Sequence, residues 1–492
     1  MKTVKQTILT LIAGVLCLGL SACRGSTGLK YKSGEKVFYY SRERASLYYD
    51  LSEETYNVNL VLDKEGSVTS IKFGRVEADK KQFGYNSGIL TVAGEVFAKQ
   101  SSGEKDMVVT FKDGSSVRVT TLICDKVIKT AQDLQDISKN LDGTYVLAND
   151  IDCSSIANFE PLGRYVTETD TSNHYFHGIL EGNGYSIKNL KAYYSSNPAH
   201  ATSTGTYVSN FDVYDDDPMF KESSHIPGDN IGVFQTIGSS GIVRNIVFDN
   251  VRVRGRTIVG VIAGNNMGLV ENCLIKENCR AEMNTHFYDN DCNVGAAFGI
   301  VAGSGRVYNC VSLTSKVSIS EIFTDWDTTY SGKTGNGWDH VATEGNTDCW
   351  WHYCGVDRER QIYPEDQNEN PVSSGEKEID SNGKHTNGVY AFVGKCWGEV
   401  NNSLALKFSQ HIFVSEGSYE DRDVEFGQTH KGENKPWSGG TDLGQITNCS
   451  TLSLSQLQVA SNYTGFDSSV WNIVDGNLPT LKTNIIAAKL IA

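Results

Sequence analysis

The chain offers no apolar run long enough to cross a membrane: the stretch from Ile8 to Leu20 holds 13 residues, well short of the roughly 20 that span a bilayer as a helix. It is also poor in positive charge. Lys and Arg number 44 against 59 Asp and Glu, a formal net charge of −15; without Lys2 and Lys5 the balance is −17. Nucleic acid and anionic lipid are held through clustered Lys and Arg, so the deficit argues against either as a partner. The pattern His-Glu-x-x-His is absent, which removes zinc-peptidase chemistry, since both histidines and the glutamate base act together. No cofactor, no metal and no catalytic residue is expected from what remains. Disorder is not expected either, because 21% charged and 39% hydrophobic residues are ordinary for a folded protein.

What is present begins with an address. Lys2 and Lys5 precede the apolar run, which ends in Leu20-Ser21-Ala22-Cys23, the layout of a secretory signal over residues 1–22. The Leu-Ser-Ala-Cys ending resembles the lipobox of bacterial lipoproteins. That resemblance implies that Cys23 becomes the lipid-modified first residue of the mature chain, with residues 23–30 as an anchor linker. It also implies a location in the bacterial cell envelope, exposed at the surface, with the membrane as a partner through the lipid. Several acyl chains would hold firmly where one binds only marginally.

Apart from Cys17 and Cys23, ten cysteines remain, an even number that permits disulfides in an exported chain. Three share one context, Asn272-Cys273, Asn309-Cys310 and Asn448-Cys449, and are expected to be buried small hydrophobes in equivalent places. Cys349-Trp350-Trp351-His352-Tyr353-Cys354 reads as a disulfide between Cys349 and Cys354 closing an aromatic loop, with buried free thiols as the alternative.

Residues 31–127 alternate apolar and polar positions in short runs, Val58–Leu62, Val68–Phe73, Ile89–Val92, Met107–Phe111 and Val117–Ile123, separated by turns such as Lys112-Asp113-Gly114-Ser115. About seven strands in about 100 residues fit an immunoglobulin-like sandwich. The stretch from Gly88 to Leu122 resembles the immunoglobulin-like spacer modules of clostridial cellulases and cellulosome scaffolds, which implies spacing or weak surface contact.

From 128 to 483 the pattern changes. Leu134, Ile137 and Leu141 stand at helical spacing and suit a short amphipathic helix capping a β-array. A degenerate repeat follows, Gly-x-aliphatic-x-Asn and then a small or apolar residue: GIVRNI at Gly241, GLVENC at Gly268, GRVYNC at Gly305, GEVNNS at Gly398 and GQITNC at Gly444, with GYSIKNL at Gly184 as a looser copy. Successive asparagines, 189, 245, 272, 309, 402 and 448, are spaced by 56, 27, 37, 93 and 46 residues. Such units cannot bury an apolar face alone and must stack, placing Asn272 beside Asn309; the longer steps hold further turns or long loops.

These repeats, with TAQDLQDISKNLDGTYVLANDIDCSS at Thr130, FHGILEGNGYSIKNL at Phe176 and YTGFDSSVWNIVDGNLPTL at Tyr463, resemble the GLUG-repeat proteins of bacterial surfaces. The resemblance implies an all-β chain in which a right-handed parallel β-helix carries an insertion at about 320–388, followed by a tail over 484–492. It also implies an adhesin-like, non-catalytic role.

Two other functions stay open. Parallel β-helices also host polysaccharide lyases and glycoside hydrolases; Asp215-Asp216-Asp217 and Asn346-Thr347-Asp348 offer carboxylates, but their order is reversed from the galacturonase pattern and Gly-His-Gly is missing. A purely structural envelope protein is the third reading. Six of the seven tryptophans, Trp326, Trp338, Trp350, Trp351, Trp397 and Trp437, fall in one stretch. Loops projecting from a rigid solenoid commonly carry function, so Trp338, Trp350, Trp351 and Tyr353 are the candidate contacts for a glycan or a host or neighbour-cell protein. A satellite core that holds the insertion together is the alternative for the same rings.

Overall fold

The computed structural model describes residues 29–30, 36–39, 47–62, 64–163, 174–193, 230–255, 258–285, 293–321, 372–373, 388–415, 418–429, 444–486 and 488–490. The chain divides into two compact units, Met1–Ile123 with Ile486–Ala492, and Cys124–Ile485.

The first unit holds two five-stranded sheets. One runs Ala488–Leu490, Lys36–Tyr39, Val58–Val61, Ile89–Val92, Phe83–Asn86; the other runs Leu47–Asp50, Ser116–Cys124, Gly103–Phe111, Val68–Phe73, Val76–Glu77. Rings from both meet between them: Phe38 and Tyr48 at 5.1 Å, Tyr85 and Phe111 at 5.5 Å. Phe97, on the one-turn helix Gly94–Ala98, stacks on Tyr49 at 5.0 Å. Within the stretch expected as a tail, Ala488–Leu490 pairs antiparallel with Lys36–Tyr39 and joins this sheet.

In the second unit the strands stack in five wholly parallel sheets of four, five, eight, seven and four strands, the arrangement of a parallel β-helix. In coil order the first face holds Asn230–Ile231, Ile258–Val259, Asn293–Gly295 and Gly388–Tyr390; the second runs from Phe234–Ile237 to Gly427–Thr429. The third runs from Lys126–Ile128 to Gln445–Thr447 and the fourth from Ile151–Asp152 to Ser450–Leu452. The fifth holds Lys191–Tyr193, Arg252–Gly255, Arg280–Thr285 and Val317–Glu321. The aliphatic of each repeat points inward on the third face, so Val243, Val270, Val307 and Val400 align and are fully buried. At the starting end, the helix Ala131–Gln135, closed by a Thr130–Asp133 capping box, and the following 3-10 turn drive Leu134 and Ile137 into the same core.

Each letter of the repeat has a physical cause. The glycine stands where the coil below comes too close for a side chain: a Cβ on Gly268 would lie 2.3 Å from Gly241 O, and one on Gly398 2.3 Å from Gly305 O. The asparagine makes the corner between the third and fourth faces in a left-handed conformation, φ 58, 52, 53, 51 and 54° at Asn245, Asn272, Asn309, Asn402 and Asn448, which Asn tolerates better than other side chains. The next residue solves the problem that this corner creates. Its N–H points toward the coil above and meets a sulfur or hydroxyl there: Cys273 N–H donates to Cys310 Sγ at 3.4 Å, Cys310 N–H to Ser403 Oγ at 3.2 Å, and Ser403 N–H to Cys449 Sγ at 3.4 Å. Cys279 does the same for Val251 at the following corner, at 3.4 Å.

Asn272 and Asn309 are neighbours on successive coils, as the paired strands on which they follow require. Asn189 is not in this stack. Ser186–Lys188 lies on the fourth face and pairs with Val247–Asp249, so Asn189 aligns with Asn250 at the next corner, where Asn250 Nδ2 donates to Asn189 Oδ1 at 2.7 Å and Asn189 Nδ2 to Asp152 Oδ1 at 3.0 Å. Both corners use left-handed asparagine, φ 55 and 53° here, and a sequence copy cannot tell one from the other.

The segment after the last coil returns along the fourth face. Tyr463, Phe466, Val470, Trp471 and Leu481 pack on its outward row Val247, Leu274, Val311 and Leu404. Trp471 Nε1–H donates to Asn272 Oδ1 at 3.1 Å, tying this strap to the asparagine corner.

Candidate functional site

Most of the stack's extra chain falls at one corner. After the fifth face and before the first, it leaves at Tyr193 and returns at Asn230, leaves at Gly255 and returns at Ile258, leaves at Thr285 and returns at Asn293, and leaves at Glu321 and returns at Gly388. The unequal steps between asparagines thus reflect single coils whose connections differ in length at this place. The last step, from Asn402 to Asn448, passes from the fourth-face strand Leu404–Leu406 into the hairpin Ser409–Ser415 and Ser418–Asp423, whose first strand pairs with Val372–Ser373, and residues 430–443 come after the second-face strand in sequence.

The corner stands on a base of buried charge. The outward side chains of the fifth face include Arg254, Arg280 and Glu282, exposed by 7%, 3% and 3%. Arg254 Nε and Nη2 donate to Glu282 Oε2 at 2.9 and 2.6 Å, and Arg280 Nη1 to Oε1 at 3.1 Å. On the third face, Glu181 takes Arg244 Nε at 2.7 Å and Asn245 Nδ2 at 2.9 and 3.0 Å. Both carboxylates are committed to pairs that fix register between coils. Among the described residues no group of three or more His, Cys, Asp or Glu could hold a metal ion.

The described thiols are free and, except Cys449, buried. Burial pushes Cys153, Cys279 and Cys396 up to about 12 and Cys449 up to about 11. They are protonated at neutral pH and serve as hydrogen-bonding core groups, since the thiolate is the nucleophile and metal ligand. Trp397 belongs to the coil: it is 6% exposed, with the Lys395 ammonium 5.3 Å from its ring centroid, so it offers no open face for a sugar.

Trp338, Trp350, Trp351, Tyr353, Cys349, Cys354 and Cys23 lie outside the described residues, as do Asp215–Asp217 and Asn346–Asp348. The structure therefore locates the departure and return of the chain that carries the aromatic candidates, at Glu321 and Gly388. Sequence reasoning missed the shared corner, although the unequal spacing of otherwise equivalent asparagines was its trace.

No family model matches the chain. Among curated proteins it is 25% identical over 230 residues to halomucin of Haloquadratum walsbyi, covering 45% of this chain and 2% of that protein. It is 28% identical over 160 residues to a putative Gly-rich membrane protein of Evansella cellulosilytica, covering 30% of this chain and 14% of that protein. The chain thus spans a small fraction of either relative. Among solved structures, an IgA1 protease overlaps 64% of this chain and 17% of its own with 11% identity and a TM-score of 0.25, an overlap too low to argue from.

Proposed function

We propose that this chain is a lipid-anchored protein of the bacterial cell envelope that displays binding loops from a right-handed β-helix, with an immunoglobulin-like module nearer the anchor. The observation that carries the reading is the common corner: four connections of different length leave the fifth face and return to the first, and in solenoids insertions gathered on one face commonly make the binding surface. The likeness to a protein described as a membrane protein and the signal ending in Cys23 support the address; the resemblance to GLUG-repeat surface proteins supports an adhesin-like role. The ligand is a glycan or a protein of a host or neighbouring cell, met by Trp338, Trp350, Trp351 and Tyr353, since aromatic bodies with polar edges anchor well in partly wet sites.

The test is a glycan and host-protein array with the full chain, repeated with Trp350→Ala and Trp351→Ala together. Binding lost at an unchanged thermal transition supports the reading. A destabilised variant that still binds refutes it and makes the rings a packed core. For the anchor, Cys23→Ala must abolish fatty-acid labelling.

A further inference from the structure

The far end of the stack is built as a strand-pairing surface. On the last coil Gln445 N–H donates to Gly398 O at 2.8 Å, while Asn402 N–H donates to Thr447 O at 3.0 Å. Because alternate residues of a parallel strand turn their polar groups to opposite sides, both the N–H and the C=O of Ile446 face away from the stack. Thr451 is turned the same way on the fourth face, since Lys407 N–H below it donates to Leu452 O at 2.8 Å. Gln445 and Thr447 are exposed. Of the four exposed large hydrophobics among the described residues, three follow this coil: Leu454, Val459 and Val474, at 53%, 41% and 50%. Val459 and Val474 are brought close, because Gly476 N–H donates to Gln458 O and Ala460 N–H to Asp475 Oδ1, both at 2.8 Å.

Exposed edges are usually guarded by charge, proline or a bulge. Earlier coils follow that rule, with Arg244, Glu271, Arg306 and Glu399 among the outward residues of the third face. The terminal coil does not: from Gly444 to Phe466 there is neither a charged residue nor a proline. In a chain of net charge −15, this end is where a second copy can approach without opposing like charges. At the opposite end the helix Ala131–Gln135 and the turn after it bury Leu134 and Ile137.

We propose that two copies of this chain pair tail to tail across a two-fold axis, with Gln445–Thr447 of each forming an antiparallel pair centred on Ile446. Under that symmetry the outward N–H of Ile446 meets the outward C=O of the same residue in the second copy, and the reverse, which is the hydrogen-bonded pair of an antiparallel ladder. The interface is isologous.

Sedimentation velocity over a dilution series of the full chain tests this. A dimer that dissociates on dilution is expected, and Thr447→Lys with Leu454→Lys must give a monomer whose thermal transition is unchanged, since both positions are exposed. Val76→Lys, at the remaining exposed apolar residue, must leave the dimer intact. A monomer at every concentration, an assembly that survives the double lysine, or equal loss with Val76→Lys overturns the proposal.

Discussion

Replacing Cys310 by alanine isolates what the residue after each corner asparagine does. Its sulfur accepts the Cys273 N–H at 3.4 Å, and its own N–H goes to Ser403 Oγ at 3.2 Å. Alanine leaves the second bond intact and removes the acceptor from the first, at a residue that is fully buried. An orphaned buried donor costs about 1–3 kcal/mol, and the vacated sulfur volume adds to it in the same direction. Serine is the discriminating control. Ser403 already occupies the equivalent place on the next coil, accepting from below and donating to Asn401 O at 3.2 Å, so Cys310→Ser keeps an acceptor for Cys273 and is expected to cost less than alanine by about 1 kcal/mol or more. Urea denaturation of the two variants gives the difference, and amide exchange at Cys273 gives its location: protection falls for alanine and holds for serine. Equal midpoints together with equal Cys273 protection would show that the sulfur ladder carries no hydrogen-bond energy and that the residue after each corner asparagine is not chosen as an acceptor.

The buried thiols also set an alkaline limit. Cys153, Cys279 and Cys396 stand near 12 in the folded chain against an ordinary 9.0, so the unfolded chain loses these protons first; their contribution is complete below pH 9 and is lost as pH rises toward 12, each by up to about 1.4 kcal/mol per pH unit. Denaturant midpoints measured across that window must fall, and less steeply for Cys279→Ser. Trp471→Phe, which keeps most of the ring packing but drops the bond to Asn272, is expected to cost about 1 kcal/mol, and Trp471→Ala about 3–5 kcal/mol, in thermal or urea unfolding; equal losses for the two would deny the indole bond any share. Gly398→Ala places a Cβ 2.3 Å from both Ala302 O and Gly305 O, so it is expected to cost more than the 1–3 kcal/mol typical of overpacking, whereas Gly114→Ala, with nothing within 4 Å of a Cβ but φ +82°, carries only the left-handed strain of about 1–2 kcal/mol.

The coil was readable from sequence wherever geometry left one admissible residue. Gly268 and Gly398 mark backbone contact with the coil below, and Asn272 and Asn309 mark a left-handed corner, so both recur despite drift elsewhere. The same economy produced the misplacement of Asn189, because the fourth-to-fifth corner asks for the same conformation as the third-to-fourth. The strap left no such mark. Tyr463, Phe466 and Trp471 have no period, and their partners Val247, Leu274, Val311 and Leu404 read as more core because a strand buried on both faces does not alternate. As for the candidate site, tryptophan spacing pointed to a region without distinguishing Trp397, which the coil buries.

Gathering the connections at one corner separates two inheritances in the same chain. The glycines and asparagines of the coil fix register whatever happens between Glu321 and Gly388, and lengthening a connection there from the 7 residues of 286–292 to the 66 of 322–387 costs only about 2 kcal/mol in closure entropy, because that cost grows with the logarithm of length. Insertions and deletions at this corner are therefore close to neutral for the scaffold. A lineage can exchange what it presents to its surroundings while the stack beneath stays the same, so closely related coils with unrelated loops are the pattern of divergence this architecture favours.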